Sequence, residues 1–157
     1  MKKEQTVDYN IKVAWHAIMR MYNQYGQDFD ISASTGFVLL NIDNEEGTPA
    51  TKIAPALGME ARSLTRMLKS LEEKGWIYRE PDAKDGRSIR IFLTDLGKDK
   101  RELSRHAVKE FNNQVTKHVG SADLKIFFSV LKTISDTIDS NIVFEKLEQQ
   151  LAPQIIK

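Results

Sequence analysis

The stretch of sequence that decides the fold is LTRMLKSLEEKGWIYREPDAKDGRSIRIFLTDLG, residues 64–97. In its first part Leu64, Leu68 and Leu71 recur at steps of three and four residues. On an α-helix these three positions fall within an arc of about 60°, so they form one apolar face. Gly75 is a typical residue just past a helix end, because glycine adopts the left-handed backbone that such an end requires. The pattern predicts a helix that ends near Gly75.

A β-hairpin is predicted directly after this helix. Residues 76–79 and 89–93 have the composition of short strands, and Ile89, Ile91 and Leu93 share one face of the second strand. The polar residues between them, 82–88, contain an Asp-Gly pair, which is typical of a hairpin tip. Residues 64–97 therefore read as a helix followed by a two-stranded wing.

The face of the helix opposite the leucines carries only cations and hydroxyl groups over its N-terminal part. By helical geometry Arg62, Arg66 and Lys69 lie about 140° to 200° from Leu64. The side chains on this face are Arg62, Ser63, Thr65, Arg66 and Lys69. A recognition helix reads base edges and phosphates with such residues near its N-terminus. An ordinary amphipathic helix with a solvated face is the alternative.

Helices are also predicted on both sides of residues 64–97. Upstream, residues 8–25 form an apolar stripe, Ser32 or Ser34 caps a second helix, and Thr48-Pro49 reads as the N-cap and first residue of a short third helix. Downstream, a long helix starts at Thr94 or Asp95 and a further one opens at Ser121.

The last helix is predicted to continue through Phe144, Leu147 and Leu151 until Pro153, with apolar residues along its length. This is more apolar surface than a small winged module needs for its own core. A two-fold interface would bury the excess, whereas a long intramolecular core helix is the alternative. The predicted fold class is mainly α with a small β-hairpin wing: a winged helix-turn-helix plus N- and C-terminal dimerisation helices.

Composition excludes several classes of protein. The 157 residues are 41% hydrophobic and 29% charged, as in globular domains. The absence of cysteine excludes disulfides, thiolate metal sites and thiol redox switches. With no long apolar run and a charged N-terminus, Met1-Lys-Lys-Glu, we expect no membrane segment and a cytoplasmic location.

Charge is unevenly distributed, although the net charge is only +1. Residues 62–109 contain 13 Lys/Arg and 8 Asp/Glu, a local +5, while the remainder contains 10 and 14, a local −4. A basic centre on an acidic scaffold is expected of a DNA-facing module. Chance clustering of charged residues on a solvated face is the alternative explanation of this distribution.

The predicted wing adds to the basic surface. Lys84 and Arg87 lie near its tip, where a guanidinium can enter a narrow minor groove. Asp85 either holds Arg87 through a carboxylate pair or only forms the turn. Arg90 and Arg79, on the strands, can meet phosphates.

Residues 64–97 resemble the core signature of the MarR family of winged-helix regulators. The resemblance rests on a helix ending in Lys-Gly-Trp-Ile, a wing of the form Asp-x-Lys-Asp-x-Arg, and Leu-Thr-x-x-Gly opening the next helix. It implies a single domain over 1–157, with a winged lobe at 30–97 and dimerisation helices at 6–26 and 98–157. It also implies a homodimer on a palindromic site. The DNA contacts that it implies are Arg62, Ser63, Thr65, Arg66 and Lys69 on the helix, and Lys84, Asp85, Arg87 and Arg90 in the wing.

The resemblance further implies a small aromatic or anionic effector that binds between the dimer helices and the winged module. The candidates for lining its pocket are Trp15, His16, Met19, Tyr22 and Phe37, each of which is alternatively a simple core residue. His16, His106 and His118 lack the spacing of metal ligands, and no catalytic motif is present, so we expect no metal, no cofactor and no enzyme activity.

The predicted function is that of a sequence-specific, DNA-binding transcriptional regulator, released from DNA or modulated by a small molecule. Two alternatives remain open. One is a constitutive DNA-binding regulator without an effector, and the other is a winged-helix module for protein partners.

Overall fold

The computed structural model describes residues 2–83, 85–86, 88–140 and 144. Over these residues the chain is mainly helical with a small antiparallel sheet, as predicted. The helices and strands are α1 (Val7–Gly26), α2 (Ala33–Leu40), β1 (Thr48–Pro49), α3 (Ala50–Ala56), α4 (Ala61–Glu73), β2 (Ile77–Pro81), β3 (Ile89–Leu93), α5 (Asp95–His118) and α6 (Ser121–Asp139). Residues 141–143 and 145–157, into which the last helix was predicted to continue, lie outside the described residues.

The sheet has three strands in the order β1-β3-β2, all antiparallel. The hairpin β2–β3 was predicted, with Tyr78 opposite Phe92 in its register. The prediction that Thr48-Pro49 opens a helix was wrong by one residue. Thr48 pairs with Ile91 of β3, and α3 begins only at Ala50. The Thr48 hydroxyl accepts the N–H of Asp43 at 2.9 Å and does not cap α3.

Helix boundaries follow local capping chemistry. The Ser32 hydroxyl accepts the N–H of Thr35 at 3.1 Å, which selects Ser32 over Ser34 as the cap of α2. The Thr94 hydroxyl accepts the N–H of Gly97 at 3.1 Å and so caps α5. After α4, Gly75 adopts φ +68, the left-handed conformation predicted for it.

The core of the winged module forms where the apolar face of α4 meets α2, α3 and the sheet. The three predicted leucines, Leu64, Leu68 and Leu71, are each at most 3% exposed. The core also contains Val38, Leu39, Ile42, Ile53, Trp76, Ile77, Ile91 and Leu93. Because one face of α4 is fixed against this core, its opposite face must point to solvent.

Trp76 lies at the junction of α4, the hairpin and α5. Its side chain is buried, and its backbone carbonyl accepts the N–H of Thr94 at 3.0 Å. The Thr94 hydroxyl donates to the carbonyl of Gly75 at 2.7 Å. A Cβ on Gly97 would collide with the Trp76 carbonyl, so only glycine lets α5 begin this close to β2.

Two lysines connect this junction to the turn between α1 and α2. Lys74 Nζ lies 2.7 Å from Asp30 Oδ2, and Lys100 Nζ donates to the carbonyl of Phe29 at 2.7 Å. Both ammonium groups also lie over the ring of Trp76, at 4.8 and 5.1 Å from its centroid. The hydrogen bond from Lys74 lowers the pKa of the Asp30 carboxyl below its ordinary value.

The chain divides into two compact units, Met1–Glu110 and Phe111–Lys157, with the boundary inside α5. The first unit contains the winged module together with α1. The single-domain organisation and the boundaries 30–97, 6–26 and 98–157 stay predictions. None of the helices in the described residues has the length and apolar character needed to cross a membrane.

Replacing Gly97 by alanine should lower the free energy of unfolding by about 2–3 kcal/mol, because the new methyl group overpacks against the Trp76 carbonyl. Gly86→Ala is the matched control, since nothing lies within 4 Å of a Cβ built there. Urea denaturation of both variants measures the difference. Similar stability of the two variants would contradict the close approach of α5 to β2.

Candidate nucleic-acid interface

The five α4 side chains predicted to contact DNA are all exposed on one side of the helix: Arg62, Ser63, Thr65, Arg66 and Lys69. Within the described part of the chain, Arg62 and Arg66 form no ion pair. Lys69 lies 3.9 Å from Glu73, but both side chains are at least 65% exposed, so this pair is weak. The face therefore presents its positive charge to solvent.

Arg90 lies at the base of the wing, and its guanidinium points into the protein. Its Nε and one terminal nitrogen contact Asp82 Oδ2 at 3.0 and 2.9 Å. The other terminal nitrogen donates to the carbonyls of Glu46 and Gly47 at 3.0 and 3.2 Å. Asp82 is only 8% exposed. Through these four contacts Arg90 fixes the wing to the loop before β1, which gives it a structural role beside the predicted phosphate contact.

The turn of the wing is closed by backbone hydrogen bonds. The N–H of Asp82 donates to the carbonyl of Ser88 at 2.8 Å, and the N–H of Ser88 donates to the carbonyl of Asp85 at 2.8 Å. Asp85 itself is exposed. Lys84 and Arg87 lie outside the described residues, so their contacts with DNA stay predictions from the sequence.

A second ion pair connects the wing to α4. Arg79 Nε on β2 lies 3.0 Å from Glu72 Oε2 near the end of α4. On the outer face of the hairpin, Tyr78 and Phe92 stack with their ring centroids 5.3 Å apart. This ion pair fixes the hairpin relative to the helix, and the phosphate contact that the sequence suggested for Arg79 stays a prediction.

The first unit also contains a crevice of about 360 Å³, including its open mouth. It lies between the end of α1, the turn after it, α2 and the first half of α5. Its lining residues are Tyr22, Tyr25, Gly26, Phe29, Ile31, Ser32, Ala33, Gly36, Phe37, Leu40, Leu103, Ser104, Ala107 and Val108. In the part of the chain that the structure describes, no cluster of His, Cys, Asp or Glu is suited to a metal ion.

The crevice contains two of the five residues predicted for an effector pocket, Tyr22 and Phe37. Trp15 stacks on Phe37 at 5.9 Å but does not line the cavity. His16 is exposed and Met19 is half-buried, and neither lines it. These three residues lie farther toward the start of α1, whereas the crevice opens at the end of that helix, and the effector pocket itself stays a prediction.

The wall contributed by α5 was missed by the sequence analysis. Its residues occur as the pairs Leu103-Ser104 and Ala107-Val108, which fall on one helix face. A stripe of small and apolar residues in an otherwise polar helix was the available signal. It does not reveal a cavity by itself, because a tightly packed helix contact has the same pattern.

Comparison with known proteins agrees with this geometry. The sequence model of the MarR family matches residues 31–89, which confirms the family resemblance of the winged module. The transcriptional regulator SarZ of Staphylococcus aureus strain MRSA252 is 34% identical over 96 residues, which are 60% of this chain. The chain spans 65% of the length of that relative, and similar coverage applies to SarZ from other strains.

Solved structures share the fold. MepR of S. aureus, solved as a DNA complex, has a TM-score of 0.77 and is 24% identical, over 84% of this chain and 98% of that chain. CouR of Rhodococcus jostii RHA1, solved with p-coumaroyl-CoA, has a TM-score of 0.76 at 16% identity, over 85% and 94% of the two chains. SarZ is a transcriptional regulator, which is the class of protein that the sequence predicts.

Arg90→Met should lower the free energy of unfolding by about 2 kcal/mol, because it removes the guanidinium that contacts the buried Asp82 carboxylate and the carbonyls of Glu46 and Gly47. Arg79→Met removes a more exposed pair and should cost less than about 1 kcal/mol. Urea denaturation compares the two variants. Equal losses would show that the internal bonds of Arg90 do not hold the wing.

Proposed function

We propose that this chain, whose residues 31–89 match the sequence model of the MarR family, is a sequence-specific DNA-binding transcriptional regulator that acts as a homodimer. The observation that carries the proposal is that Arg62 and Arg66 are exposed and form no ion pair among the described residues, on a helix whose other face is fixed in the core. The DNA complex of MepR, a protein of the same fold, supports it. A regulator of this kind acts where the chromosome is, in the cytoplasm.

In the proposed complex the N-terminal half of α4 enters the major groove. Arg62 and Arg66 are one turn apart, about 6 Å along the helix axis, and so reach neighbouring base pairs. A guanidinium is suited to the two acceptors of guanine, O6 and N7. In the same complex the hydroxyls of Ser63 and Thr65 and the ammonium of Lys69 contact base edges or phosphates.

The wing supplies the second contact. From the sequence, Lys84 and Arg87 are the cations that we assign to the minor groove beside the site of α4. The Asp82–Arg90 pair and the Arg79–Glu72 pair support this role, since they hold the base of the wing against the rest of the winged module. A stiff wing delivers its cations at a fixed distance from the recognition helix.

Each of the two units contains apolar surface that the proposed homodimer would bury. On α6, Ile126, Phe127, Val130 and Ile138 are all more than half exposed and fall within about 120° of one another around the helix. On α1, Val7, Ile11, Val13 and Trp15 are between 42% and 55% exposed. A two-fold dimer places two identical reading heads on DNA, so we propose a palindromic operator.

We further assign the crevice of the first unit to a small-molecule effector. Most of its lining is apolar, as in small-molecule sites of proteins. The complex of CouR with p-coumaroyl-CoA shows that a protein of this fold binds such a molecule. In this chain the crevice adjoins the turn that Lys74 connects to the end of α4, so a ligand that moves the turn would move the recognition helix.

Arg66→Ala should weaken binding to an operator selected from a random DNA pool by about tenfold to a hundredfold, the value of one good base contact. The slope of log affinity against log salt should also fall by up to about one if the guanidinium contacts a phosphate as well. Fluorescence anisotropy at several salt concentrations measures both quantities.

Lys125→Ala is the matched control for that experiment. It removes one exposed cation from α6, outside the winged module, and should leave affinity for the operator unchanged. If both variants bind as the unmodified protein does, the α4 face is not the DNA-reading surface. Equal loss in both variants would mean that only overall charge matters.

Phe127→Asp should shift the protein from dimer to monomer, because it places a charge in the centre of the exposed α6 face. Ser129→Asp, on the opposite side of the same helix, is the control and should remain dimeric. Sedimentation velocity measures the mass of each. A dimeric Phe127→Asp variant, or a monomeric unmodified protein, would contradict the proposed interface.

A further inference from the structure

The outer face of the wing sheet contains an aromatic pair that is not part of the core. Tyr78 and Phe92 are cross-strand partners, and their rings stack with an angle of 17° between the planes. Along the strands they alternate with the buried Ile77, Ile91 and Leu93, so they face away from the core. Tyr78 remains 42% exposed. The pair therefore offers a flat aromatic surface to a second molecule.

The loop before β1 passes directly beside this pair. A Cβ on Gly47 would lie 2.7 Å from Phe92 Cδ1, so this position has no room for a side chain. Glu45 and Glu46, which come immediately before Gly47, are exposed. Their backbone N–H groups donate to Asp43 Oδ1 at 2.9 and 2.7 Å. These hydrogen bonds hold an acidic loop next to the aromatic pair.

A third acidic residue borders the pair on the other side. Glu80 is exposed and lies on the same outer face of β2. Arg90 is its cross-strand partner, but that guanidinium contacts Asp82 Oδ2 at 2.9 Å. In the part of the chain that the structure describes, Glu45, Glu46 and Glu80 form no ion pair. Their negative charge is therefore presented to solvent.

This outer face is separate from the face proposed to contact DNA. The leucines of α4 and the inner face of the sheet share one core, so the cations of α4 and the aromatic pair lie on opposite sides of that core. Three carboxylates would repel the phosphates of a nucleic acid. An arginine suits both features of the surface, because its guanidinium stacks on an aromatic ring and pairs with carboxylates.

We propose that the outer face of the wing sheet binds an arginine-rich segment of another protein. Its contact residues are Glu45, Glu46, Tyr78, Glu80 and Phe92. A second copy of this chain would have to use the cationic face of α4, which the proposed function assigns to DNA. Because the outer face leaves α4 free, the partner can bind while the regulator is on its operator. The inference goes beyond the DNA-binding function and does not depend on the crevice.

The test uses two fluorescently labelled peptides, hexa-arginine and hexa-citrulline, titrated with the full-length protein and followed by anisotropy. Citrulline keeps the length and the planar end group of arginine but has no charge. We expect hexa-arginine to bind at least about tenfold more tightly than hexa-citrulline. Its affinity should fall as salt is added, since salt screens exposed charges.

A pair of variants tests the role of the aromatic surface. Tyr78→Thr removes the exposed ring and should weaken binding of hexa-arginine by about fivefold. Ile89→Thr is the matched control, because Ile89 is 41% exposed on the opposite face of the same sheet. This control should bind hexa-arginine as the unmodified protein does.

A pair of triple variants tests the role of the carboxylates without relying on the aromatic pair. Replacing Glu45, Glu46 and Glu80 together by glutamine should weaken binding of hexa-arginine by at least about tenfold. The control removes the same total charge from exposed positions on other elements, and should bind normally: Glu4→Gln, Asp28→Asn and Glu60→Gln. All six positions are exposed, so both triple variants should fold.

Equal weakening in both triple variants would show that hexa-arginine responds only to overall charge, and would overturn the proposed site. Unchanged binding in Tyr78→Thr and in the first triple variant would also overturn it. Equal binding of hexa-citrulline, or no binding of either peptide, would overturn the arginine-rich partner.

Sedimentation velocity separates a partner protein from a second copy of this chain. Tyr78→Thr should leave the mass of the protein unchanged, and a smaller mass would overturn the proposal in favour of self-association. Operator affinity of Tyr78→Thr is measured separately and should equal that of the unmodified protein. Failure of the peptide test therefore leaves the DNA-binding proposal standing.

Discussion

The carbonyl oxygen of Trp76 is the point on which the winged module depends. It receives the N–H of Thr94, and Gly97 lies so close that no side chain fits between them. The same Thr94 caps α5 and donates to Gly75, which ends α4 in a left-handed conformation. One short segment thus fixes where α4 stops, where the hairpin starts and where α5 begins.

The ring of Trp76 adds two cation–π contacts to this junction. Lys74 and Lys100 rest on its face and reach from there to Asp30 and to the carbonyl of Phe29. The turn that forms one wall of the crevice is therefore connected to the end of α4 and to α5. In the proposed mechanism this connection is the physical route by which a ligand in the crevice shifts the position of α4.

The cations of the basic segment divide into two groups with different roles. Arg62 and Arg66 are exposed and form no ion pair in the described residues, whereas Arg79 and Arg90 are used inside the winged module. Local net charge counts them equally and so overstates the charge available to DNA. In the proposed complex the internal pairs have a role of their own, since they hold the wing, which carries Lys84 and Arg87, against the rest of the winged module.

The sequence by itself determined the order of the helices, the hairpin, the polar face of α4 and the role of Gly75, because periodicity and capping act over a few residues. Only the tertiary structure decided that Thr48 joins the sheet, that Arg90 bonds to Asp82 and the carbonyl of Glu46, and that the crevice opens at Tyr22 and not at His16. Each of these features depends on contacts between residues that are distant in the chain. Such contacts form only in the folded state, so no local sequence pattern predicts them.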